Sequence, residues 1–203
     1  MPYLSFFKTL SADVWQRLEA YAALLSEWNG KVNLISRKET KLFESHILPI
    51  LPSAEDAEVR VCFEHSKSVL DVGTGGGIPG IPLAILFPNV SFTLLDSIRK
   101  KTVAVADMVE KLALPNVQVV CERLENVSER YDACVGRGVT AFDRFVVATQ
   151  KHLKPCGSVF YWSGGEAETL VPKALIQRTR VIDLEVFFQG RYAVTKKLLW
   201  YRK

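Results

Sequence analysis

Five glycines lie within the eight residues from Gly73 to Gly80, directly after a short apolar run. That run, Val69 to Val72, predicts a buried strand, and it contains one carboxylate, Asp71, just before its end. Glycines at this density let the backbone turn sharply and approach a ligand with no Cβ atoms in the way. Pro79 then favours the start of a helix. A strand, a glycine turn and a helix N-terminus in this order predict a site for a nucleotide-type cofactor.

The glycine spacing by itself is compatible with two cofactors. Gly75, Gly77 and Gly80 satisfy G-x-G-x-x-G, and Asp96 ends the next predicted strand at the distance expected for a ribose acceptor. This pattern occurs in NAD-dependent oxidoreductases and equally suits S-adenosylmethionine. Asp71 favours the second, because a carboxylate there can hold the ammonium of a methionine moiety and would repel a pyrophosphate. The turn also resembles the D-x-G-x-G-x-G turn of class I methyltransferases.

Length and composition favour one α/β domain with a helical extension. The chain has 203 residues, of which 48% are hydrophobic and 24% charged, so it can form a substantial core. The sequence contains no apolar run of the roughly 18 residues that a membrane span needs. Its N-terminus also lacks the features of a signal peptide. We therefore expect a cytoplasmic protein without a membrane partner.

Cysteine and charge content give weaker indications. The four cysteines are widely spaced with no C-x-x-C pair, which favours free thiols and no metal site. Cys121 and Cys134 fall in apolar runs and are predicted to be buried. The formal net charge of +4 is a mild indication of a polyanionic partner.

The N-terminal third is predicted to be helical. Apolar residues at three- and four-residue steps predict one helix from Ser11 to Asn29, and a second from about Lys38 to Leu48. Ser11 suits the N-cap of the first helix. We predict that residues 1–67 form a helical N-terminal cap and residues 68–203 the cofactor-binding domain, together one compact unit.

The remainder alternates between strand-like and helix-like runs. The predicted strands are Val69–Val72, Ser91–Asp96, Val117–Cys121, Tyr131–Gly136, Ser158–Trp162, Thr179–Phe188 and Lys196–Trp200. Alternation with helices implies a parallel sheet, and the last two strands would form an antiparallel hairpin around Gln189-Gly190-Arg191. The predicted fold class is α/β, with the Rossmann-like class I methyltransferase fold: a mostly parallel seven-stranded sheet, an antiparallel C-terminal hairpin and the helical cap.

Arg137 ends the fourth predicted strand, at the sheet edge where open α/β folds bind ligands. Its guanidinium could bind a cofactor carboxylate, a phosphate or a base edge, and a structural ion pair is the alternative. The turn Arg123-Leu124-Glu125 follows the third strand, where this fold meets an adenine ring.

The fourth strand end also lacks two familiar devices. Gly136-Arg137-Gly138-Val139 replaces the Asn/Asp-Pro-Pro-Tyr of amino-directed methyltransferases, and the edge carries no cysteine nucleophile beside a proline. The acceptor is therefore predicted to be nucleophilic already, such as guanine N7. Arg137 would then act by positioning, with no general base.

Together these motifs resemble one family. WNGKVNLIS (Trp28 to Ser36), ESHIL around His46, LDVGTGGGIPGIPLAI (Leu70 to Ile85), FTLLDSIRKK and YDACVGRGV are similar to RsmG, also called glucose-inhibited division protein B. Members of this family are bacterial small-subunit (16S) ribosomal RNA guanine-N7 methyltransferases. The resemblance covers roughly Trp28 to Trp162.

The resemblance implies S-adenosylmethionine as the cofactor. It implies 16S ribosomal RNA, or the small ribosomal subunit, as the partner. We expect the enzyme to be a monomer. The resemblance also implies cofactor contacts at Gly73, Ile78, Leu124, Glu125 and Arg137, with Asp96 on the ribose. RNA contacts are implied for Asn33, His46 and Lys100. The chain departs from the family at Ser163, where a lysine is usual. A small-molecule methyltransferase, an NAD-dependent oxidoreductase and a non-catalytic RNA-binding protein remain as alternatives.

Overall fold

A computed structural model describes residues 6–7, 9–36, 41–165, 170–188 and 196–203. The helices are α1 (Ala12–Lys31), α2 (Pro52–Glu55), α3 (Ala57–His65), α4 (Gly80–Leu86), α5 (Arg99–Lys111) and α6 (Phe142–Thr149). The strands are β1 (Ser68–Val72), β2 (Ser91–Asp96), β3 (Val117–Cys121), β4 (Tyr131–Arg137), β5 (Leu153–Gly164), β6 (Thr179–Asp183) and β7 (Lys196–Arg202).

The seven strands form one sheet in the order β3-β2-β1-β4-β5-β7-β6. The first five in this order are parallel, and β7 is antiparallel to both β5 and β6. This confirms the predicted mostly parallel sheet with an antiparallel C-terminal pair. The predicted turn at Gln189-Gly190-Arg191 lies outside the described residues.

The helical cap and the sheet share one hydrophobic core. Trp15, Leu18, Tyr21 and Leu25 are buried along one face of α1, as the periodicity predicts. They belong to the same cluster as buried residues of β1, β2 and α4. The Trp28 indole also donates to the Asp107 carboxylate of α5 at 2.7 Å. The proposed boundary at residue 67 remains a prediction.

Several elements differ from the sequence-based expectation, and one of them is the fifth strand, which spans Leu153–Gly164 in place of the predicted Ser158–Trp162. The second helix is a π-helical segment (Phe43–Ile47) followed by a 3-10 turn (Leu48–Ile50), in place of a continuous α-helix. Two short helices that are not among the predicted ones, α2 and α3, follow this turn, and the Asp56 side chain caps α3 by accepting from the amide of Val59. The sixth strand ends at Asp183, whose carboxylate accepts from the amide of Glu185 and starts a 3-10 turn.

The cysteine predictions are half confirmed. Cys134 is buried within β4, whereas the expectation for Cys121 is wrong, since it is exposed at the end of β3.

Within the described ranges, three or more histidine, cysteine or acidic side chains are nowhere grouped so that they could hold a metal ion. Over the same ranges, the structure contains no helix of the length and apolarity needed to cross a membrane.

Candidate active site

The strand order reverses between β1 and β4, and ligands of open α/β sheets bind outside the carboxyl ends of the strands at such a point. Two cavities lie here. The larger, of about 310 Å³, is lined by Gly73, Asp96, Leu124, Glu125 and Val139, among others. The smaller, of about 240 Å³, is lined by Gly73, Gly75, Ile78, Lys101 and Arg137, among others. Gly73 lines both, so the two cavities adjoin at the first residue after β1.

The glycine turn depends on its glycines at particular positions. Gly73, Gly75 and Gly77 have φ values of +69°, +59° and +91°, which side chains rarely adopt. Gly80 is required for a different reason, since a Cβ there would lie 2.5 Å from the Asp71 carboxylate. The Tyr21 hydroxyl of the cap donates to the Gly76 carbonyl at 2.8 Å and holds the outside of the turn.

Asp71 lies inside the turn and lines neither of these cavities. Its side chain is fully buried, and Oδ2 accepts from the Thr74 hydroxyl at 2.6 Å and from the Gly80 amide at 3.0 Å. Oδ1 is buried and has no hydrogen-bond partner among the described residues. Burial raises the pKa of Asp71 to about 7, while the two hydrogen bonds oppose that rise. These hydrogen bonds give Asp71 a role in shaping the turn, and its contact with a methionine ammonium stays a prediction.

We predict that Asp71 makes the protein less stable as the pH rises. Its folded-state pKa lies above the unfolded value, so the folded state binds more protons between about pH 4 and 7. The free energy of unfolding should fall across this window, by up to about 1.4 kcal/mol per pH unit. Urea denaturation at several pH values measures this slope.

Asp71→Asn is the matched variant for that measurement. Its amide oxygen can accept both hydrogen bonds now made to Oδ2, and it does not titrate. The variant should therefore lack the Asp71 contribution to the slope. Equal slopes in the two proteins between pH 4 and 7 would contradict the prediction.

The larger cavity contains the predicted ribose and adenine residues. Asp96 is 7% exposed at the end of β2, where Oδ2 accepts from the Gly75 amide at 3.0 Å and Oδ1 from the Ile98 amide at 2.9 Å. Leu124 and Glu125 lie in a 3-10 turn after β3 and line the same cavity. The structure thus places Asp96, Leu124 and Glu125 together, as the sequence predicts.

Arg137 connects the end of β4 to the cap. One guanidinium nitrogen donates to the His46 carbonyl at 3.0 Å and the other to the Ser45 carbonyl at 2.9 Å. The second nitrogen also lies 2.8 Å from Nδ1 of His46. A guanidinium can only donate, so Nδ1 accepts and the imidazole proton of this neutral tautomer is on Nε2. Both partners lie in the π-helical segment of the cap. These contacts are therefore hydrogen bonds to the cap, and none of them is the ion pair with a buried aspartate that was the alternative prediction.

The cap also supplies one wall of the smaller cavity, formed by Leu34 and Ile35. The Asn29 side chain accepts from both of their backbone amides, at 2.9 and 3.0 Å, and so fixes this wall. These three residues are not among the predicted site residues, although an asparagine just before a loop favours such a turn.

Of the three residues predicted to contact RNA, one lines the smaller cavity. His46 lines it, whereas the neighbouring exposed Asn33 does not. Lys100 is exposed in the first turn of α5, and the next residue, Lys101, is the one that reaches the cavity. The rotation of α5 about its axis decides which of the two adjacent lysines faces the cavity. The sequence run Arg99-Lys100-Lys101 does not show that rotation.

Neither cysteine near β4 or β5 is placed to act as a nucleophile in this cleft. Cys134 is buried within the sheet, and burial raises the pKa of its thiol to about 12. Cys156 is exposed but belongs to a different cavity, together with His65 and Asp132. That the acceptor needs no covalent activation by cysteine stays a prediction.

The sheet order, the glycine turn after β1 and the paired cavities at the switch point define the class I methyltransferase fold. A methyltransferase from Geobacter sulfurreducens aligns with a TM-score of 0.59 at 15% identity, over 90% of this chain and 87% of its own. The Thermus thermophilus 16S rRNA N2 G1207 methyltransferase RsmC, in complex with AdoMet and guanosine, aligns at 0.54 and 20% identity, over 76% of this chain and 43% of its own.

Sequence comparison specifies the family. Residues 14–190 match the GidB family, rRNA small subunit methyltransferase G. A Flavobacterium psychrophilum protein named ribosomal RNA small subunit methyltransferase G is 39% identical over 97% of this chain and 94% of its own length. The chain therefore belongs to the rRNA small subunit methyltransferase G family. This confirms the predicted resemblance and favours a methyltransferase over an NAD-dependent oxidoreductase.

Proposed function

We propose that the chain transfers a methyl group from S-adenosylmethionine to guanine N7 of small-subunit (16S) ribosomal RNA. One observation carries this proposal: two cavities adjoin at Gly73 at the switch point of a methyltransferase fold. One has the residues for a nucleoside, and the other opens beside basic and cap residues. A donor and an acceptor can thus be held side by side. Membership of the family supplies the substrate class.

The larger cavity fits the adenosyl part of a cationic cofactor. Asp96, Glu122 and Glu125 line it with one guanidinium, that of Arg123, so carboxylates are in excess. Such a lining favours a positively charged ligand and opposes a pyrophosphate. The Asp96 oxygens each accept one amide hydrogen bond and retain a lone pair for a ribose hydroxyl. Leu124 offers an apolar surface to the adenine.

The smaller cavity would hold the amino-acid end of the cofactor and the acceptor base. Gly73, Gly75, Ile78 and Arg137 line it. S-adenosylmethionine supplies an electrophilic methyl group on a positively charged sulfur when bound. Guanine N7 carries a free lone pair, so the protein has no proton to remove before attack. The side chains then contribute by placing the two reactants, which is a proximity effect.

The partner is proposed to be 16S ribosomal RNA, free or in the small subunit, bound by a cytoplasmic monomer. One chain supplies both cavities, so the site needs no second copy. Lys100, Lys101 and His46 lie at or beside the smaller cavity, with Asn33 next to its cap wall. Positive side chains at this rim suit the phosphates of RNA.

Transfer of labelled methyl groups tests the proposed function. The purified protein is incubated with methyl-labelled S-adenosylmethionine and either naked 16S RNA or small subunits from cells that lack the protein. We expect label in RNA, at a guanine that becomes sensitive to borohydride and aniline cleavage. Calorimetric titration should show binding of S-adenosylhomocysteine and none of NADH. Label confined to a different position, or tight NADH binding, would reject the proposal.

Charge reversal at the start of α5 should lower the salt dependence of RNA binding. In the triple variant Arg99→Glu, Lys100→Glu, Lys101→Glu, each lost phosphate contact reduces the slope of log affinity against log salt by about 0.7–0.9. The double variant Arg99→Glu, Lys100→Glu, whose positions line neither cavity, should leave the affinity for S-adenosylhomocysteine nearly unchanged. Filter binding at several salt concentrations measures the slope.

A control triple variant changes the net charge equally at exposed positions that line neither cavity: Lys151→Glu, Lys173→Glu and Arg178→Glu. It should retain the wild-type salt slope. If both triple variants lower the slope alike, the effect comes from net charge, and the α5 cluster has no specific role.

A further inference from the structure

The hydroxyl group of Tyr161 holds three backbone groups of the loop that follows β4. It accepts from the amides of Val139 and Thr140, at 3.0 and 3.2 Å, and donates to the Thr140 carbonyl at 2.5 Å. One proton and two lone pairs are all that a phenol offers, so its capacity is fully used. The ring is 2% exposed and packs against Phe142 and Phe145, with centroids 6.0 and 4.8 Å away. A rigid side chain in β5 thereby fixes the loop.

The loop in turn places Val139 over the glycine turn. A Cβ built on Gly73 would lie 3.0 Å from Cγ2 of Val139, so the valine side chain covers this glycine closely. Val139 and Thr140 both line the larger cavity, and Gly73 lines both cavities. Val139 is 43% exposed, so its side chain faces the open cleft. The position of the Val139 side chain therefore determines the shape of the space at Gly73, where the two cavities meet.

We infer that Tyr161 is a positioning residue for methyl transfer, which acts by holding Val139 over Gly73. This inference rests on the proposed function, in which the cofactor extends from the larger cavity past Gly73 into the smaller one, where the acceptor base binds. Transfer between two bound reactants is sensitive to placement, and a misplacement of about 1 Å can lower a rate by roughly 100-fold. RNA affinity comes largely from phosphate contacts, which the loop does not make in this proposal. Loosening the loop should therefore lower kcat and leave the KM for RNA nearly unchanged.

Tyr161→Phe removes the hydroxyl and keeps the ring. Its matched control is Tyr201→Phe: this side chain is also 2% exposed, lies in the adjacent strand β7, and accepts a single hydrogen bond from Gln150, outside both cavities. Tyr161→Phe should lower kcat about tenfold, with the KM for RNA unchanged within about twofold. The control should retain the wild-type kcat, and thermal unfolding of both shows that each is folded. Equal kcat values for the two variants would overturn the inference.

A second variant tests whether Tyr161 acts through Val139. Val139→Ala removes the contact with Gly73 and should lower kcat in the same way. If both residues serve one arrangement, the double variant should be little slower than the slower single variant. If the fold-losses in kcat of the two single variants multiply in the double variant, Tyr161 does not act through Val139.

Amide hydrogen exchange separates this inference from the proposed function. The amides of Val139 and Thr140 should exchange faster in Tyr161→Phe and not in Tyr201→Phe. Unchanged protection in Tyr161→Phe rejects the inference, whether or not the wild-type protein methylates RNA. A wild-type protein that transfers no label to 16S RNA or small subunits rejects the proposed function.

Discussion

Replacing Arg137 by alanine is expected to lower the rate of methyl transfer about 100-fold, the scale of a misplacement near 1 Å. The guanidinium lines the smaller cavity and donates to the carbonyls of Ser45 and His46, so it joins the sheet edge to the cap. Its removal frees that cap segment and empties part of the acceptor side. Single-turnover rates with saturating cofactor and RNA measure the effect.

Two further variants show what kind of role Arg137 has. Arg137→Lys should restore little activity, because an ammonium cannot reproduce two hydrogen bonds from a planar fork. Arg180→Ala is the control: Arg180 also binds the helical region, through both oxygens of Asp56, but lines neither cavity. It should transfer methyl groups at the wild-type rate. Full activity in Arg137→Ala would make this residue structural.

The loss caused by Arg137→Ala should be independent of pH. The guanidinium stays protonated throughout the accessible range, and attack by a ring nitrogen lone pair removes no proton. The ratio of wild-type to variant rates should therefore stay constant between about pH 6.5 and 9, without the bell shape of general acid–base catalysis. A ratio that follows a single-proton titration would indicate an unidentified base.

Asp96→Ala is expected to weaken binding of S-adenosylhomocysteine by about 1.5–3 kcal/mol, or roughly 10- to 150-fold, the scale of lost hydrogen bonds to a charged group. The proposed ribose contact is one cause. The second is local: Asp96 also accepts from the Gly75 amide, so its loss releases the glycine turn on the other side of the cofactor site. Calorimetric titration measures the affinity.

Asp183→Ala is the control for Asp96→Ala. Asp183 likewise ends a strand and accepts from the backbone amide two residues later, but it lines neither cavity. It also pairs with Lys197, so its replacement has a structural cost of its own. Cofactor affinity should nevertheless be unchanged in this variant. Similar losses in the two variants would mean that Asp96 contributes through folding alone.

The sequence by itself predicts the class of fold and the cofactor side of the site. Strand runs such as Ser91–Asp96 and Val117–Cys121 match β2 and β3 residue for residue, because short runs rich in β-branched and other apolar residues between helical segments favour strands. Gly73, Asp96 and Leu124 each follow or end a strand, and a parallel sheet brings all such ends to one edge. Local pattern and topology are therefore enough to predict that these residues meet.

The tertiary structure alone decides which side chains complete that edge. The Asp71 side chain points into the core and accepts hydrogen bonds from Thr74 and Gly80. This orientation depends on the path of the turn in three dimensions. Arg137 meets Ser45 and His46 from more than 90 residues away, and Tyr161 meets the loop after β4 from a neighbouring strand. Such contacts follow from how the cap and the strands pack together, and the spacing of residues along the chain carries no information about that packing.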